Sequence, residues 1–376
     1  MRLHLVALPH AHVIREITVC AFTAKIRKFC RMMTEAGFEV YLYAGDKSDT
    51  TPAKLVPIYS DEEQRSWYGD YDPNMLPIVA GAWDSTQQAY IISNGRAVAA
   101  ISERAEKEDL VLLTGGLAQK PIADALSNIS VEWAAGYSGP IFSSSGVEGP
   151  WVCFESHSWR HYLYGKYNIG DGRFYDTVIP NFFDPEEWSL AKEKKDYLCF
   201  VGRLIARKGP QIAAEIAREM GMPLYVAGSG MHSVSDGVIV CQDGTRIEGD
   251  VHYVGTVGVE ERNKLMGEAR ALLVPTTYIE PFGAVAVEGP LCGTPAVSTD
   301  FGAFVETVPV KRRFNTLKQG VEATGYAMSL YPERVREEAL ANYSLEAIAP
   351  RYTEWFERVQ SLWRGGWYDG TKVSHP

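Results

Sequence analysis

The chain has 376 residues, enough for roughly two domains of 100–200 residues each, and its hydrophobic fraction of 46% can fill two cores. Its formal net charge of −10 gives no general attraction to nucleic-acid backbones or anionic membranes, although a local basic face stays possible. The short apolar N-terminus and the lack of any apolar run of about 18 residues predict a soluble, cytoplasmic protein that touches a membrane at most peripherally.

The first half of the chain alternates short apolar runs with helical patterns. "RLHLVAL" has the uninterrupted apolar character of a buried parallel strand. Phe22, Ile26 and Phe29 then recur at helical spacing. Gly37 ends that helix before the strand "FEVYLYAG". The region at about 46–85 is polar and rich in Pro, Tyr and Asp, and we predict that it is a long insertion over the surface of the first domain.

A second series of strands and helices begins after "VIPNFFDPEEWSLAKEKKD", whose prolines and charges mark a domain boundary. We place the first domain at 1–185 and the second at 186–350. The helix and tail at 351–376 are predicted to pack back on the first domain. The pattern predicts an α/β fold with two doubly wound, Rossmann-like domains that face a central cleft. Ligands then belong at the carboxyl ends of the strands.

Two basic residues follow the strand "DYLCFVGR" directly. Arg203 offers a planar fork of donors for phosphate, and Lys208 adds a mobile positive charge. A solvated basic turn is the alternative interpretation, and it is the one that we prefer for Arg207. We predict that Arg203 and Lys208 line a binding site.

The segment "YIEPFGAVAVEGPLCGTP" at 278–295 carries two glutamates in apolar surroundings, where an unpaired charge would cost several kcal/mol. A helix that starts near Phe282 or Gly283 would aim backbone N–H groups at an anion, and Gly283 would let the backbone approach it closely. Glu280 and Glu288 can accept hydrogen bonds from sugar and ribose hydroxyls. Pro290 should kink or shorten this helix.

Several motifs of the second half together resemble a known enzyme family. They look like the donor-binding half of the GT4 family of retaining glycosyltransferases, which have the GT-B fold. The resemblance covers about 175–310, and in the first half only the order of strands and helices agrees. Two glutamates eight positions apart are weak evidence alone, but an Arg and Lys pair about 75 residues upstream strengthens it. The motifs are "VIPNFFDPEEW", "FVGRLIARKG", "LYVAGSG", "VGTVG" and "EPFGAVAVE".

The resemblance implies a role for each matching residue. Arg203 and Lys208 would bind the donor diphosphate and stabilise the departing nucleotide, and Glu280 would hold the donor sugar. Glu288 would accept a hydrogen bond from the ribose. The remaining donor-binding positions would contribute mainly backbone contacts, with Val257 at the base: Gly202, Val257, Phe282, Gly283 and Ala284. Gly228 and Gly230 could instead serve only a turn after a strand.

The resemblance further implies a UDP- or GDP-linked sugar as substrate, no cofactor and no metal. The leaving phosphate would help to deprotonate the incoming hydroxyl on the same face of the sugar. The sequence agrees on the metal, since it has no DxD motif and no His/Cys cluster with ligand spacing. The six cysteines lack CxxC pairing and are predicted to be reduced structural thiols.

The first domain departs from the family pattern in two places. The loop "LPHAHVIRE" replaces the usual glycine pair, so His10 or His12 could contact donor or acceptor. A middle strand that commonly ends in histidine here leads into Glu132, Trp133 and Tyr137. These are candidate acceptor-side residues, together with the loop histidines. His157 and His161 instead fit a structural helix before the domain boundary.

The acceptor stays open at this point. A glycan, a lipid-linked or a small-molecule acceptor all fit, and nucleic acid is disfavoured by the charge. Basic residues on the first helix form either a solvated face or a surface for an anionic acceptor: Lys25, Arg27, Lys28 and Arg31. The alternatives are a sugar-nucleotide or glycan binding protein without turnover, a glycosyltransferase for hydroxylated DNA bases, and an epimerase or phosphorylase with the same two-domain plan.

Overall fold

The chain divides into two compact units. The computed structural model describes residues 1–17, 20–50, 52–70, 84–134, 150–170 and 173–364. Unit 1 contains residues 1–155 and 160–179 and the chain from 348 onward. Unit 2 contains residues 156–159 and 180–347. The changes at 179/180 and 347/348 lie within six residues of the predicted domain boundaries at 185/186 and 350/351.

Unit 1 is built on a parallel sheet. Among its described residues, seven strands pair in the order β3-β2-β1-β4-β5-β6-β7. The central strand is buried from Leu3 to Val6, which explains its uninterrupted apolar sequence. The strands are β1 (Arg2–Val6), β2 (Glu39–Gly45), β3 (Lys54–Tyr59), β4 (Leu110–Leu113), β5 (Ile129–Glu132), β6 (Trp151–Phe154) and β7 (Thr177–Val178).

The helices of unit 1 cover this sheet. In α1 the buried face contains Ile26, Phe29 and Met33, at the spacing that the sequence predicts. Phe29 contacts Trp133 at a ring-centroid distance of 4.3 Å and Tyr352 of the last helix at 5.2 Å. The helices are α1 (Ala21–Glu35), α2 (Asp61–Tyr68), α3 (Gln88–Ser102), α4 (Lys120–Ala125), α5 (His157–Lys166) and α12 (Leu345–Gln360), of which α5 and α12 each start in unit 2.

Much of the described part of the predicted surface insertion at 46–85 consists of regular elements of unit 1. Residues 54–59 form β3, which pairs in parallel with β2. Pro57 is unusual in a strand, so the sequence pattern did not indicate one here. The proline is tolerated because β3 lies at the edge of the sheet. Ser60 and Glu63 then form a capping box that starts α2. Residues 71–83 lie outside the described part of the chain.

Unit 2 has the same plan, which confirms the predicted α/β fold class with two Rossmann-like units. Its parallel sheet has the order β13-β9-β8-β14-β15-β16, and a core cluster lies on each face. The sequence analysis missed a separate antiparallel sheet of β10, β11 and β12. The strands are β8 (Leu198–Val201), β9 (Leu224–Ala227), β10 (Met231–Ser235), β11 (Val238–Cys241), β12 (Arg246–Glu248), β13 (Val251–Gly255), β14 (Ala271–Val274), β15 (Ala296–Thr299) and β16 (Arg313–Phe314).

The helices of unit 2 connect these strands. A cluster that includes α6 and α10 packs on one face of the sheet, and one that includes α7, α8 and α11 packs on the other. No helix among the described residues has both the length and the apolar character to span a membrane. The helices are α6 (Pro210–Glu219), α7 (Val259–Glu268), α8 (Val285–Leu291), α9 (Phe304–Thr307), α10 (Leu317–Met328) and α11 (Pro332–Tyr343).

The ends of β8 and β9 approach each other so closely that one position requires glycine. Gly228 has a φ of 145°, and a Cβ atom there would lie 1.8 Å from the carbonyl oxygen of Gly202. The Tyr253 hydroxyl donates a hydrogen bond to the Gly228 carbonyl at 2.9 Å, which fixes the turn further. The structural role that we considered for Gly228 therefore suffices to explain this residue.

We expect Gly228→Ala to destabilise the protein by about 3 kcal/mol or more, because backbone collision adds to the strain of a positive φ. Gly249→Ala is the matched control, since Gly249 has a φ of 128° but open space around its Cα. Strain alone should cost it about 1–2 kcal/mol. Guanidinium unfolding followed by tryptophan fluorescence measures both variants. Equal losses would contradict the steric role of Gly228.

Candidate functional site

Apart from Glu288, which lies in α8, the donor-site residues named from the sequence follow strands of the unit 2 sheet. Gly202 and Arg203 follow β8, Val257 follows β13, and the corner at 280–284 follows β14. These three strands run parallel in one sheet, so their carboxyl ends lie at the same edge. The candidate site is this edge of unit 2.

A basic and an acidic residue meet at this edge. The Lys208 Nζ lies 2.6 Å from Glu280 Oε2, and the Tyr278 hydroxyl donates to the same oxygen at 2.6 Å. The Lys208 Nζ also lies 5.1 Å from the centroid of the Tyr278 ring. Only 12% of the Glu280 side chain is exposed, so the lysine charge and the phenol offset its loss of hydration. Sequence analysis missed Tyr278, although residues two apart on an extended segment share a side.

Arg203 provides a second positive charge with different surroundings. Its side chain is exposed and has no hydrogen-bond or ion-pair partner in the described part of the chain. Arg207 is exposed, as expected of the solvated basic turn that we prefer for it, and its guanidinium lies over the Tyr278 ring at 4.9 Å. Arg203 is thus available to an anion without breaking an existing interaction.

The corner after β14 presents backbone donors. The amides of residues 282–285 have no acceptor within the described structure, whereas the amides of Ala286 and Val287 bind the carbonyls of Gly283 and Ala284. The predicted helix start at Phe282 or Gly283 is wrong by two to three residues, because Gly283 has a φ of 75° and the helix begins at Val285. A Cβ atom at Gly283 would lie 2.4 Å from the Phe304 ring.

Helix α8 carries Glu288 and is short, as Pro290 predicted. It ends at Leu291, one residue beyond the proline. Glu288 is 9% exposed, and its Oε1 lies 3.5 Å from an Arg262 Nη2. The Arg262 guanidinium also lies over the Trp188 ring at 5.5 Å. The positive charge of Arg262 thus offsets the negative charge of the buried Glu288. No spacing in the sequence indicated that these two residues are partners.

A hairpin residue holds the turn that carries Lys208. Asp243 Oδ2 accepts from the backbone N–H of Ala206 at 2.7 Å, and its Oδ1 accepts from the N–H of Thr245 at 3.0 Å. The hydrogen bond from Ala206 is the main reason that the pKa of Asp243 lies below its ordinary value. The role of Asp243 could not be predicted from the sequence, because the "DG" dipeptide at 243–244 indicates only a turn.

The acceptor-side candidates lie in unit 1. His10 is buried after β1, and its Nε2 lies 3.3 Å from Cys20 Sγ. His12 is also buried, with Nε2 3.2 Å from Asp61 Oδ1. Glu132 ends β5 and is fully buried. Tyr137 lies outside the described residues. The structure places the two histidines in one loop and Glu132 at the end of a different strand.

Two other sequence interpretations can be judged from the contacts. Lys25 is not part of an exposed basic face, because it is 8% exposed and its Nζ lies 3.2 Å from Glu155 Oε1. Its position over the Trp133 ring at 5.2 Å explains the burial. His157 has a structural setting, since its backbone N–H donates to Glu306 at 2.9 Å.

Comparisons with known proteins point to one class of enzyme. Residues 183–312, which include the candidate site, match the family model of glycosyl transferases group 1. Glycogen synthase of Mycobacterium tuberculosis is 32% identical over 149 residues, or 37% of this chain and 35% of that protein. The match therefore spans about a third of the length of this curated relative.

Solved structures are similar over the whole chain. Sucrose-phosphate synthase from Thermosynechococcus elongatus has a TM-score of 0.65 at 14% identity, over 97% of this chain and 100% of the other. Anabaena HepE in complex with UDP and glucose has a TM-score of 0.58 at 13% identity, over 95% and 99%. At these identities the similarity establishes the fold, which is the GT-B fold that the sequence predicts.

Asp243→Ala should release the 206–208 turn, because the Ala206 amide loses its acceptor. We expect faster hydrogen exchange in a peptide that covers residues 204–209. Asp243→Asn should restore protection, since the amide oxygen can accept the same bond. Glu248→Ala, on the same small sheet, is the control and should leave this peptide unchanged. Unchanged exchange in Asp243→Ala would show that the turn does not depend on this carboxylate.

Proposed function

We propose that this protein is a retaining, metal-independent glycosyltransferase of the GT4 type. It moves a sugar from a nucleotide-diphosphate donor to an acceptor hydroxyl. The observation that carries the proposal is the edge of the unit 2 sheet, which has the Lys208–Glu280 pair together with Arg203 and four backbone amides that have no partner in the described part of the chain. Such an arrangement suits a ligand with an anionic centre and a hydroxyl-bearing end.

The diphosphate is the part of the donor that these donors fit. Arg203 supplies a bidentate fork, and the amides of 282–285 supply neutral donors close to the backbone. Lys208 has three N–H donors, and Glu280 uses one, so the ammonium can bind a phosphate oxygen and keep its partner. Hydrogen-bond donors and charges fixed around a phosphate stabilise the negative charge that develops on it as it leaves.

The sugar and the nucleoside of the donor would bind Glu280, Glu288 and the backbone of Val257. Glu280 keeps unused acceptor positions for the sugar hydroxyls, and its position is fixed by two donors. Glu288 would accept from the ribose, and the backbone of Val257 would contact the base. The HepE structure contains UDP and glucose, which makes a UDP-linked sugar the first donor to test. A GDP-linked sugar is the second.

The tethering of Glu280 favours front-face displacement over a covalent intermediate. Its Oε2 is held by Lys208 and Tyr278, an arrangement that orients a substrate but weakens a nucleophile. The bond from the anomeric carbon to the leaving phosphate breaks while the bond to the acceptor oxygen forms on the same face. The acceptor proton passes to the departing phosphate, so no protein base is required.

The double variant Arg203→Ala/Lys208→Met tests the donor site. At 100 times its dissociation constant, UDP should add about 2.7 kcal/mol to the free energy of unfolding of the unaltered protein. The variant should lose at least about tenfold in affinity for UDP, because two charge-assisted contacts disappear. Arg218→Ala, an exposed arginine on α6, is the control for net charge. Thermal shift and calorimetry measure the affinities, and equal affinity in the double variant refutes the site.

Glu280→Gln separates an enzyme from a binding protein. Mass spectrometry of donor and acceptor mixtures should find turnover in the unaltered protein and a loss of about 100-fold or more in the variant. UDP affinity should change little, since the diphosphate contacts remain. Nucleotide binding without turnover in the unaltered protein would favour the non-catalytic alternative. Binding of DNA with strong salt dependence would favour the DNA-base alternative.

A further inference from the structure

Unit 2 contains a cavity that is separate from the candidate donor site. Residues of α8, α9, α11 and the segment 308–313 form its wall, and its volume is about 410 Å³. Small-molecule sites typically have volumes of about 300–1,000 Å³. The cavity opens to solvent, because Val305 and Val310 of its wall are 42% and 67% exposed. No donor-site residue is among the described residues of the wall, so a small molecule can enter without reaching that site.

A buried guanidinium group in this wall has unused hydrogen-bond donors. Arg312 is 4% exposed, and its Nη2 lies 3.3 Å from Glu338 Oε2. The Glu338 side chain is itself 55% exposed, so this partner is largely hydrated. The other N–H groups of the Arg312 side chain have no acceptor in the described part of the chain. Because a buried charge with unmade hydrogen bonds is costly, these donors indicate a position for an anion.

A second arginine of the wall supports this position independently. Arg313 Nε is buried and has no hydrogen-bond partner among the described residues. Its Nη1 donates to Asp300 Oδ1 at 2.6 Å, which anchors the other end of the guanidinium group. Arg312 and Arg313 therefore both contribute unsatisfied N–H donors to one cavity.

The acidic residues of the wall limit the charge that a ligand can carry. Among the described residues of the wall, Glu306 and Glu338 equal the two arginines in number. The Glu306 carboxylate already accepts from the backbone amides of His157 and Ser158, at 2.9 and 2.8 Å. A phosphate dianion would bring two uncompensated negative charges into the cavity, whereas a carboxylate brings one. The two oxygens of a carboxylate also match the planar fork of an arginine.

The apolar part of the wall indicates what the carboxylate is attached to. Five valines, two prolines and two alanines lie among the described residues of the wall, with Tyr343 as the one aromatic side chain. Val308, Val335 and Ala339 are at most 4% exposed. An aliphatic chain would leave water for these side chains, which is favourable, whereas a small hydrated anion would gain nothing from them.

We propose that this cavity binds a monocarboxylate with an aliphatic chain, with the carboxylate at Arg312 and Arg313 and the chain against the valines. The proposal goes beyond the glycosyl transfer proposed above and does not depend on it, because the cavity and the donor site share no residue among those described.

Calorimetric titration of the full chain with octanoate tests this site. Octanamide has the same chain without the charge, and acetate has the charge without the chain. We expect saturable binding of octanoate, at least about tenfold tighter than binding of octanamide, because a charge-assisted contact to arginine is lost in the amide. Acetate and inorganic phosphate, added in equal concentration as competitors, should not displace octanoate.

Variants of exposed residues then locate the binding without disturbing the buried arginines. Val310→Asp places a negative charge at the opening, so the affinity for octanoate should fall about tenfold while that for octanamide changes little. Val234→Asp is the matched control, since Val234 is a half-exposed valine of β10. Glu338→Gln removes the carboxylate that competes for Arg312 and should tighten octanoate binding about threefold.

The donor-site variant Arg203→Ala/Lys208→Met separates this inference from the proposed function. It should bind octanoate as the unaltered protein does, although it loses affinity for UDP. A parallel loss of octanoate binding in this variant would overturn the proposal, because the carboxylate would then occupy the donor site. Absence of saturable octanoate binding, equal binding of octanamide, full affinity in Val310→Asp, or displacement by phosphate would also overturn it.

Discussion

The ion pair between Lys208 and Glu280 is the interaction on which the candidate site of unit 2 depends. A carboxylate with 12% of its side chain exposed loses much of its hydration, and Lys208 and Tyr278 replace it with a positive charge and hydrogen bonds at 2.6 Å. The Glu280 backbone is held as well, because its carbonyl accepts from the Ala303 amide at 3.1 Å. Loops after β8, β14 and β15 thus converge on one residue.

The glycines at this edge serve the same arrangement. A Cβ atom at Gly302 would lie 2.8 Å from the Glu280 nitrogen, and one at Gly283 would displace the Phe304 ring. Their absence of side chains lets three strand ends pack without intervening atoms. The consequence is a corner where the amides of 282–285 are kept out of the hydrogen bonding of the helix that follows and have no other acceptor among the described residues. The same glycines therefore allow both the tight packing around Glu280 and the open backbone donors beside it.

The sequence allowed the edge of the site to be predicted, but not its contacts. Arg203 and Lys208 could be placed because a buried strand ends just before them. The partner of Lys208 is 72 residues away, and no local spacing encodes such a distance. The helix start was misplaced because a positive φ at Gly283 delays it, and β3 was missed because Pro57 is a poor strand residue except at a sheet edge. Local patterns decide which elements form, and tertiary packing decides where they begin.

The two units differ in the kind of ligand that their strand ends suit. In unit 2 an exposed guanidinium, an ammonium and four amides face the same edge, which is chemistry for a diphosphate. In unit 1 the buried Lys25 of α1 already has a partner, since its Nζ lies 3.2 Å from Glu155 Oε1. Because Lys208 keeps two N–H donors after it pairs with Glu280, a phosphate that leaves in the proposed transfer would keep this stabilising charge.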